Sequence, residues 1–114
     1  MNKHLRVERN VDALVVHFLD QKIHAEVAIA SLGKELYAVA DRPDCLKLVL
    51  NFSEVEFLSS VMLGKLIAVK KKIAEKHGVL MLCAMSDNIR LIFKLTCLDH
   101  ILDIRETEAD AIGP

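Results

Sequence analysis

A nearly continuous apolar segment of strand length, Leu46 to Phe52, is the feature that most restricts how this chain folds. Because apolar and polar residues do not alternate in it, both faces of the strand must be covered. An amphipathic run from Ser60 to about Lys76 follows after a connector, and a second strand of the buried type, Val79 to Met85, comes next. Buried strands that alternate with helices predict right-handed crossovers and a parallel sheet covered by helices.

The beginning of the chain departs from this parallel pattern. Apolar and polar residues alternate from His4 to Glu8, turn-forming residues follow at 10–12, and Ala13 to Leu19 is a second strand. The short connection predicts an antiparallel hairpin, whose exposed edge strand leaves homodimer formation open. Apolar positions at helical spacing predict a helix from about Ala25 to the residues before Pro43.

Together these segments predict one α/β domain with a mostly parallel sheet of four to five strands, an N-terminal antiparallel hairpin and helices packed on the sheet. A chain of 114 residues has the length of a single domain, here residues 1–114 with a core at about 4–105. A short helix after Ser86 and a weak last strand near Ile104 complete the order. The acidic tail, residues 106–114, is predicted to be frayed.

The composition excludes several classes of function. A net charge of −1 and an aromatic content of 4% argue against nucleic acid as a partner. Cys45, Cys83 and Cys97 lack the spacing of a zinc site or a disulfide framework, which favours a reducing cytoplasm. The longest apolar run is shorter than the ~20 residues of a membrane helix, so no membrane insertion is expected. We therefore predict a cytoplasmic protein without a metal or another cofactor.

No group of residues predicts catalysis. The four glycines form no phosphate-binding loop. The strand ending in Asn51 and Phe52 lacks the carboxylate cluster of a response-regulator receiver, and Ser60 lacks the glycine-flanked turn of a serine hydrolase. The sequence predicts a binding protein and not an enzyme.

Two serines, Ser59 and Ser60, open the amphipathic run and are the strongest candidates for a functional site. The N-terminus of a helix has free backbone N–H groups, and its dipole favours an anion. A serine there can cap the helix, or it can be a position where an added phosphate is tolerated. The residues themselves leave both roles open.

The element order, together with the stretch from Phe57 to Ile67, resembles the STAS domain family of sulfate transporters and anti-sigma factor antagonists. In the bacterial antagonists the corresponding segment has an aspartate followed by a serine that an anti-sigma factor kinase phosphorylates. The resemblance places Ser60 at that serine, and Leu63 and Gly64 at the family's leucine and second glycine. Ser59 stands where the family has its aspartate.

Two further departures are Val61 in place of the second hydroxyl and Met62 in place of the first glycine. The resemblance implies an anti-sigma factor antagonist that sequesters an ATP-binding serine kinase and is switched off by phosphorylation at Ser60, with Ser59 as the secondary acceptor. The implied partner-binding residues are Asp20, Gln21, Lys22, Glu56, Ser59, Ser60, Met62 and Lys65.

A rival interpretation is a STAS-type scaffold, an assembly subunit of a signalling or transport complex that is never phosphorylated and uses the same face for constant contacts. The loss of the aspartate at position 59 favours the scaffold. The retention of Ser60 and of the Leu63-Gly64 pair favours the switch.

Overall fold

The structure, a computed structural model, describes residues 4–113. The strands of this part are β1 (Leu5–Asn10), β2 (Ala13–Phe18), β3 (Lys22–Ile23), β4 (Lys47–Asn51), β5 (Phe57–Leu58), β6 (Val79–Cys83) and β7 (Asp103–Arg105). The helices are α1 (Glu26–Ala40), α2 (Ser60–Glu75), α3 (Asp87–Leu95) and α4 (Glu108–Ile112), with a 3-10 turn at Leu98–His100.

Five of the strands form one sheet in the order β1-β2-β4-β6-β7. β1 and β2 pair antiparallel, whereas every other neighbouring pair in this sheet is parallel. The central register aligns Leu14, Leu48 and Leu80 across three adjacent strands. The predicted mostly parallel sheet with an antiparallel hairpin at its start is confirmed.

The two faces of the sheet are covered unequally. One face packs against α1, α2 and α3 and holds most of the buried apolar residues. Its aromatic centre is formed by Phe18, Phe52 and Phe93, with ring centroids 4.8 Å apart for the first two and 6.2 Å apart for the last two. The opposite face is smaller and packs against α4 through Ala111.

The acidic tail is not frayed as the sequence predicts, because part of it forms α4. Ala111 is 1% exposed and packs on the second face of the sheet. The helix is tied down by Glu108, whose Oε1 accepts a hydrogen bond of 2.9 Å from Asn51 Nδ2. It is also capped by Thr107, whose Oγ1 accepts a bond of 3.1 Å from the N–H of Asp110. Five residues are too few to show a helical period in the sequence.

Gly33 lies in the contact between α1 and α2. A methyl group at Gly33 would lie 2.9 Å from Lys65 Cδ. Lys65 Nζ and Lys72 Nζ lie 5.7 Å and 5.4 Å from the ring centroid of Tyr37, so two ammonium groups flank this ring. Lys72 also pairs with Asp41 at 3.1 Å.

The end of α2 is followed by His77 and Gly78, which have different roles. His77, and not Gly78, adopts the left-handed conformation, with φ of 59°. Gly78 is required for a different reason, because a methyl group there would lie 2.7 Å from the carbonyl oxygen of Leu46 and 2.9 Å from Ile73 Cγ2. Its missing side chain lets the chain pass close to the start of β4.

We expect Gly78→Ala to destabilise the fold and Gly33→Ala not to destabilise it. At Gly78 the new methyl group meets a backbone oxygen that cannot move away, so unfolding should become easier by about 2 kcal/mol. At Gly33 it meets only the flexible end of Lys65, and the higher helix propensity of alanine should make the change neutral or stabilising by up to about 1 kcal/mol. Urea denaturation measures both, and equal effects would contradict the packing described here.

Candidate partner-docking site

Two segments that the sequence assigns to partner binding are joined by a small parallel sheet of β3 and β5. The carbonyl oxygen of Gln21 accepts hydrogen bonds from the N–H groups of Glu56 at 2.7 Å and Phe57 at 3.1 Å. The carbonyl oxygen of Ile23 accepts one from Ser59 at 2.9 Å. The structure therefore places residues 20–23 and 56–59 side by side. Each strand has two residues, which is too short for an alternating pattern in the sequence.

The same small sheet brings two helix N-termini together. α1 begins three residues after Ile23 and α2 begins two residues after Leu58, and the two strands run parallel. In α2 the carbonyl oxygen of Ser59 accepts from Met62 and Leu63, at 3.1 Å and 3.3 Å. Within residues 4–113 no acceptor bonds the N–H groups of Ser60 and Val61, so these donors are available at the start of the helix.

The two serines occupy different environments. Ser59 is the residue before the helix, with φ of −82° and ψ of 162°, yet its side chain makes no capping hydrogen bond. Its Oγ is buried and has no hydrogen-bond partner within the described residues. Ser60 is exposed at the first position of α2. The accessible hydroxyl of the pair is therefore that of Ser60, and the simple capping role is not performed by Ser59 Oγ.

The other predicted contact residues divide into three groups. Gln21, Lys22 and Glu56 are exposed at this edge of the fold. Asp20 is partly buried, with its Oδ2 2.6 Å from His4 Nδ1, so its carboxylate is held by the start of β1. Lys65 is partly buried because it lies along Gly33 and Tyr37 in the contact between α1 and α2.

Met62 was predicted to bind a partner, and this prediction is wrong. The side chain is 0% exposed and belongs to the main core, together with Leu66 and Phe93. Position 62 is the third residue of α2, on the side of the helix that faces the sheet. The bulk of methionine at this position is therefore used in packing.

Sequence reasoning missed an exposed apolar patch in the same region, formed by Val27, Phe57 and Val61. Their side chains are 84%, 47% and 60% exposed. The ring of His24 packs edge-on against Phe57, with centroids 5.9 Å apart. Apolar side chains surrounded by polar ones are typical of protein-binding surfaces. The sequence could have predicted the exposure of Val27 and Val61, because both residues fall outside the apolar stripes of α1 and α2.

Gly64 adds a flat position to this surface. It lies three residues after Val61 and four after Ser60, so the three residues share one exposed face of α2. A methyl group at Gly64 would meet nothing within 4 Å. The fold therefore does not need glycine here, although glycine inside a helix costs about 1 kcal/mol relative to alanine.

Within the described residues no group of three or more His, Cys, Asp or Glu side chains has the arrangement of a metal site. Burial, with a smaller effect of the Glu108 carboxylate, raises the pKa of the Cys83 thiol to about 12. Burial also raises the pKa of Cys45, so both thiols are protonated at neutral pH and are poor nucleophiles. No helix in the described part of the chain is long and apolar enough to cross a membrane.

Comparisons with known proteins identify the family and agree with the fold. Residues 3–111 match the STAS domain family. The sequence is 26% identical over 80 residues to an anti-sigma-B factor antagonist of Listeria monocytogenes, which covers 70% of each chain. The crystal structure of an anti-sigma factor antagonist from Mycobacterium paratuberculosis superposes with a TM-score of 0.81 at 32% identity, covering 95% of this chain and 89% of the other. The Bacillus cell fate determinant SpoIIAA in its phosphorylated form superposes with a TM-score of 0.70 at 16% identity, covering 95% and 96%.

We expect Ser59→Ala to leave the free energy of unfolding unchanged or to raise it by up to about 1 kcal/mol, because it removes a buried hydroxyl that has no hydrogen-bond partner. Ser86→Ala is the matched control. Ser86 occupies the equivalent position before α3, and its Oγ does accept a capping bond, of 3.3 Å, from Ile89. Its replacement should cost about 1 kcal/mol. Thermal and urea unfolding measure both variants, and a loss at Ser59 as large as that at Ser86 would contradict the described orientation.

Proposed function

Because the chain belongs to the STAS domain family, whose relatives include antagonists of anti-sigma factors, we propose that it binds an anti-sigma factor and that phosphorylation at Ser60 ends this binding. The family assignment makes the chain a regulatory binding protein and not an enzyme. The proposed partner is an ATP-binding serine kinase that otherwise sequesters a sigma factor. The observation that supports this proposal is that Ser60 is exposed, next to the exposed apolar side chains of Phe57 and Val61.

The proposed docking surface consists of the β3–β5 pair and the first turns of α1 and α2. Its apolar part, Val27, Phe57 and Val61, supplies area that a partner can remove from water. Its polar rim contains Lys22, Glu56 and the other exposed residues of the two connectors. The backbone hydrogen bonds between the two segments support a preformed surface, which lowers the entropy cost of binding.

A phosphate at Ser60 would be tolerated by the fold for electrostatic reasons. The first turn of α2 contains no acidic residue, and the N–H groups of Ser60 and Val61 are available to an anion. The added charge of about −1.5 to −2 would nevertheless lie in the centre of the docking surface. A partner that covers this surface would have to remove water from the phosphate. Glu26 and Glu56 could not neutralise the phosphate, because they are acidic themselves.

The alternative is an unphosphorylated scaffold subunit that uses the same surface for permanent contacts. It is favoured by Ser59, which is buried and uncharged where a carboxylate for kinase recognition would be expected. The exposed apolar patch is equally compatible with permanent assembly. For both alternatives we place the protein in the cytoplasm, and the free edge of β1 allows a homodimer.

If phosphorylation at Ser60 ends partner binding, two substitutions of Ser60 should have different effects. Ser60→Asp should stay within about 0.5 kcal/mol of the original stability, because a carboxylate is favourable in the first turn of a helix. It should nevertheless weaken binding of the anti-sigma kinase of the source organism at least tenfold, or about 1.4 kcal/mol. Ser60→Ala should bind as the unmodified protein does. Isothermal titration calorimetry provides the affinities.

Ala74→Asp is the control for charge, since it adds an acidic group to an exposed position at the other end of α2. It should leave the affinity unchanged. Equal affinities for Ser60→Asp and Ser60→Ala would exclude the switch. Intact-mass measurement of protein from its native cells separates the two alternatives: a species heavier by about 80 Da that maps to Ser60 supports the switch. An unmodified chain that purifies within a large assembly supports the scaffold.

Gly64→Ala should separate stability from binding. The new methyl group extends into open space, so the free energy of unfolding should rise by about 1 kcal/mol. The same methyl group stands on the face shared with Ser60 and Val61, where it should keep a partner from close approach and reduce affinity several-fold. Gly33→Ala serves as the comparison because its methyl group lies between α1 and α2. Unchanged affinity for Gly64→Ala would remove Gly64 from the docking surface.

A further inference from the structure

β1 is a six-residue strand at the end of the sheet, and one of its edges has no neighbouring strand within the described residues. Its pairing with β2 aligns Asn10 with Ala13 across a two-residue turn and Arg6 with His17. In such a hairpin the pair next to the turn exchanges hydrogen bonds, and every second pair does the same. The bond of 2.9 Å from the N–H of Leu19 to the carbonyl oxygen of His4 follows this alternation. The N–H and C=O groups of Leu5, Val7 and Arg9 therefore point to the free edge.

We propose that this edge pairs with β1 of a second copy of the chain, antiparallel about a twofold axis at Val7. In a sheet that continues across the axis with the same faces, residues opposite each other must lie on the same face. Near the middle of β1, three positions of the twofold axis satisfy this condition, namely Arg6, Val7 and Glu8. An axis at Arg6 places two arginines opposite each other, and an axis at Glu8 places two carboxylates opposite each other. The axis at Val7 places each Arg6 opposite the Glu8 of the other copy.

The chosen register agrees with the backbone. Val7 faces Val7, and each Leu5 faces the Arg9 of the other copy, so all outward N–H and C=O groups of these residues find partners. Arg6 and Glu8 then fall at the positions between hydrogen-bonded pairs, where opposite Cα atoms are only ~4.5 Å apart. Within one chain Arg6 Nε already lies 3.2 Å from Glu8 Oε1, and both side chains are more than half exposed. Across the axis the four charges would alternate in sign.

The dimer places the two docking surfaces at opposite ends of the paired strands. That surface begins at Asp20, which contacts His4 just before β1. In an antiparallel pair the two His4 ends lie at opposite ends of the joined strands, so the two docking surfaces are well separated. β7, at the other end of the sheet, has three residues and offers a shorter edge. Because pairing of one strand buries little area, the dimer should be weak and depend on concentration. The inference does not rest on the phosphoswitch.

Sedimentation velocity of the full chain over a concentration series tests the proposal. Arg6→Glu makes positions 6 and 8 both acidic, and Glu8→Arg makes both basic, so each variant faces like charges across the axis. Either should weaken the dimer about tenfold, since two cross-strand pairs change from attraction to repulsion. The double variant Arg6→Glu/Glu8→Arg again places opposite charges across the axis if the axis is at Val7. With the axis at position 6 or 8, it would still place two like charges opposite each other. It should recover dimer formation.

Arg90→Glu is the matched control. Arg90 on α3 also pairs with an acidic residue of its own chain, Glu106, and its reversal changes the net charge by the same amount away from β1. It should leave the dimer unchanged. Circular dichroism and urea unfolding establish that every variant is folded. A wild-type chain that stays monomeric throughout the series, or a double variant no better than the single ones, would overturn the proposed interface.

Discussion

Three backbone hydrogen bonds from Glu56, Phe57 and Ser59 to the carbonyl oxygens of Gln21 and Ile23 hold the candidate docking surface together. They join two connectors that are separated by a helix and a strand in the sequence, and they set the starting points of α1 and α2. Backbone bonds do not depend on side-chain identity, so the residues on this surface can differ without changing its geometry. The exposed position of Ser60 and the exposed side chains of Val27 and Val61 follow from this arrangement.

The sequence predicts the longer elements, whose apolar patterns are clear, and fails where the elements are short. β4 and β6 were predictable because their residues are apolar without alternation, and α2 because its apolar stripe runs for four turns. β3, β5 and α4 have two, two and five residues, so their positions are decided by tertiary contacts. The acceptor candidate Ser60 could be predicted, but the burial of Met62 and the exposure of Phe57 could not, because both depend on the exact rotation of α2 and β5 against the core.

Two residues of the docking region are less favourable for stability than simple alternatives. Ser59 buries a hydroxyl without a partner, and Gly64 weakens an exposed stretch of helix that has room for a side chain. By contrast, Gly78 is required by the carbonyl oxygen of Leu46. Gly64 is exposed on the proposed docking surface and is not required by the fold, so it carries more functional information than Gly78.

The docking surface and the free edge of β1 differ in the interactions that they offer. The docking surface has exposed apolar side chains, a polar rim and the accessible hydroxyl of Ser60, where a phosphate would add about −1.5 to −2 charges. The edge of β1 offers backbone groups flanked by Arg6 and Glu8, whose charges already balance within the chain. The proposed phosphorylation at Ser60 and the proposed pairing of β1 therefore act through different groups of the chain. A dimer built in this way would present two docking surfaces that respond to modification independently.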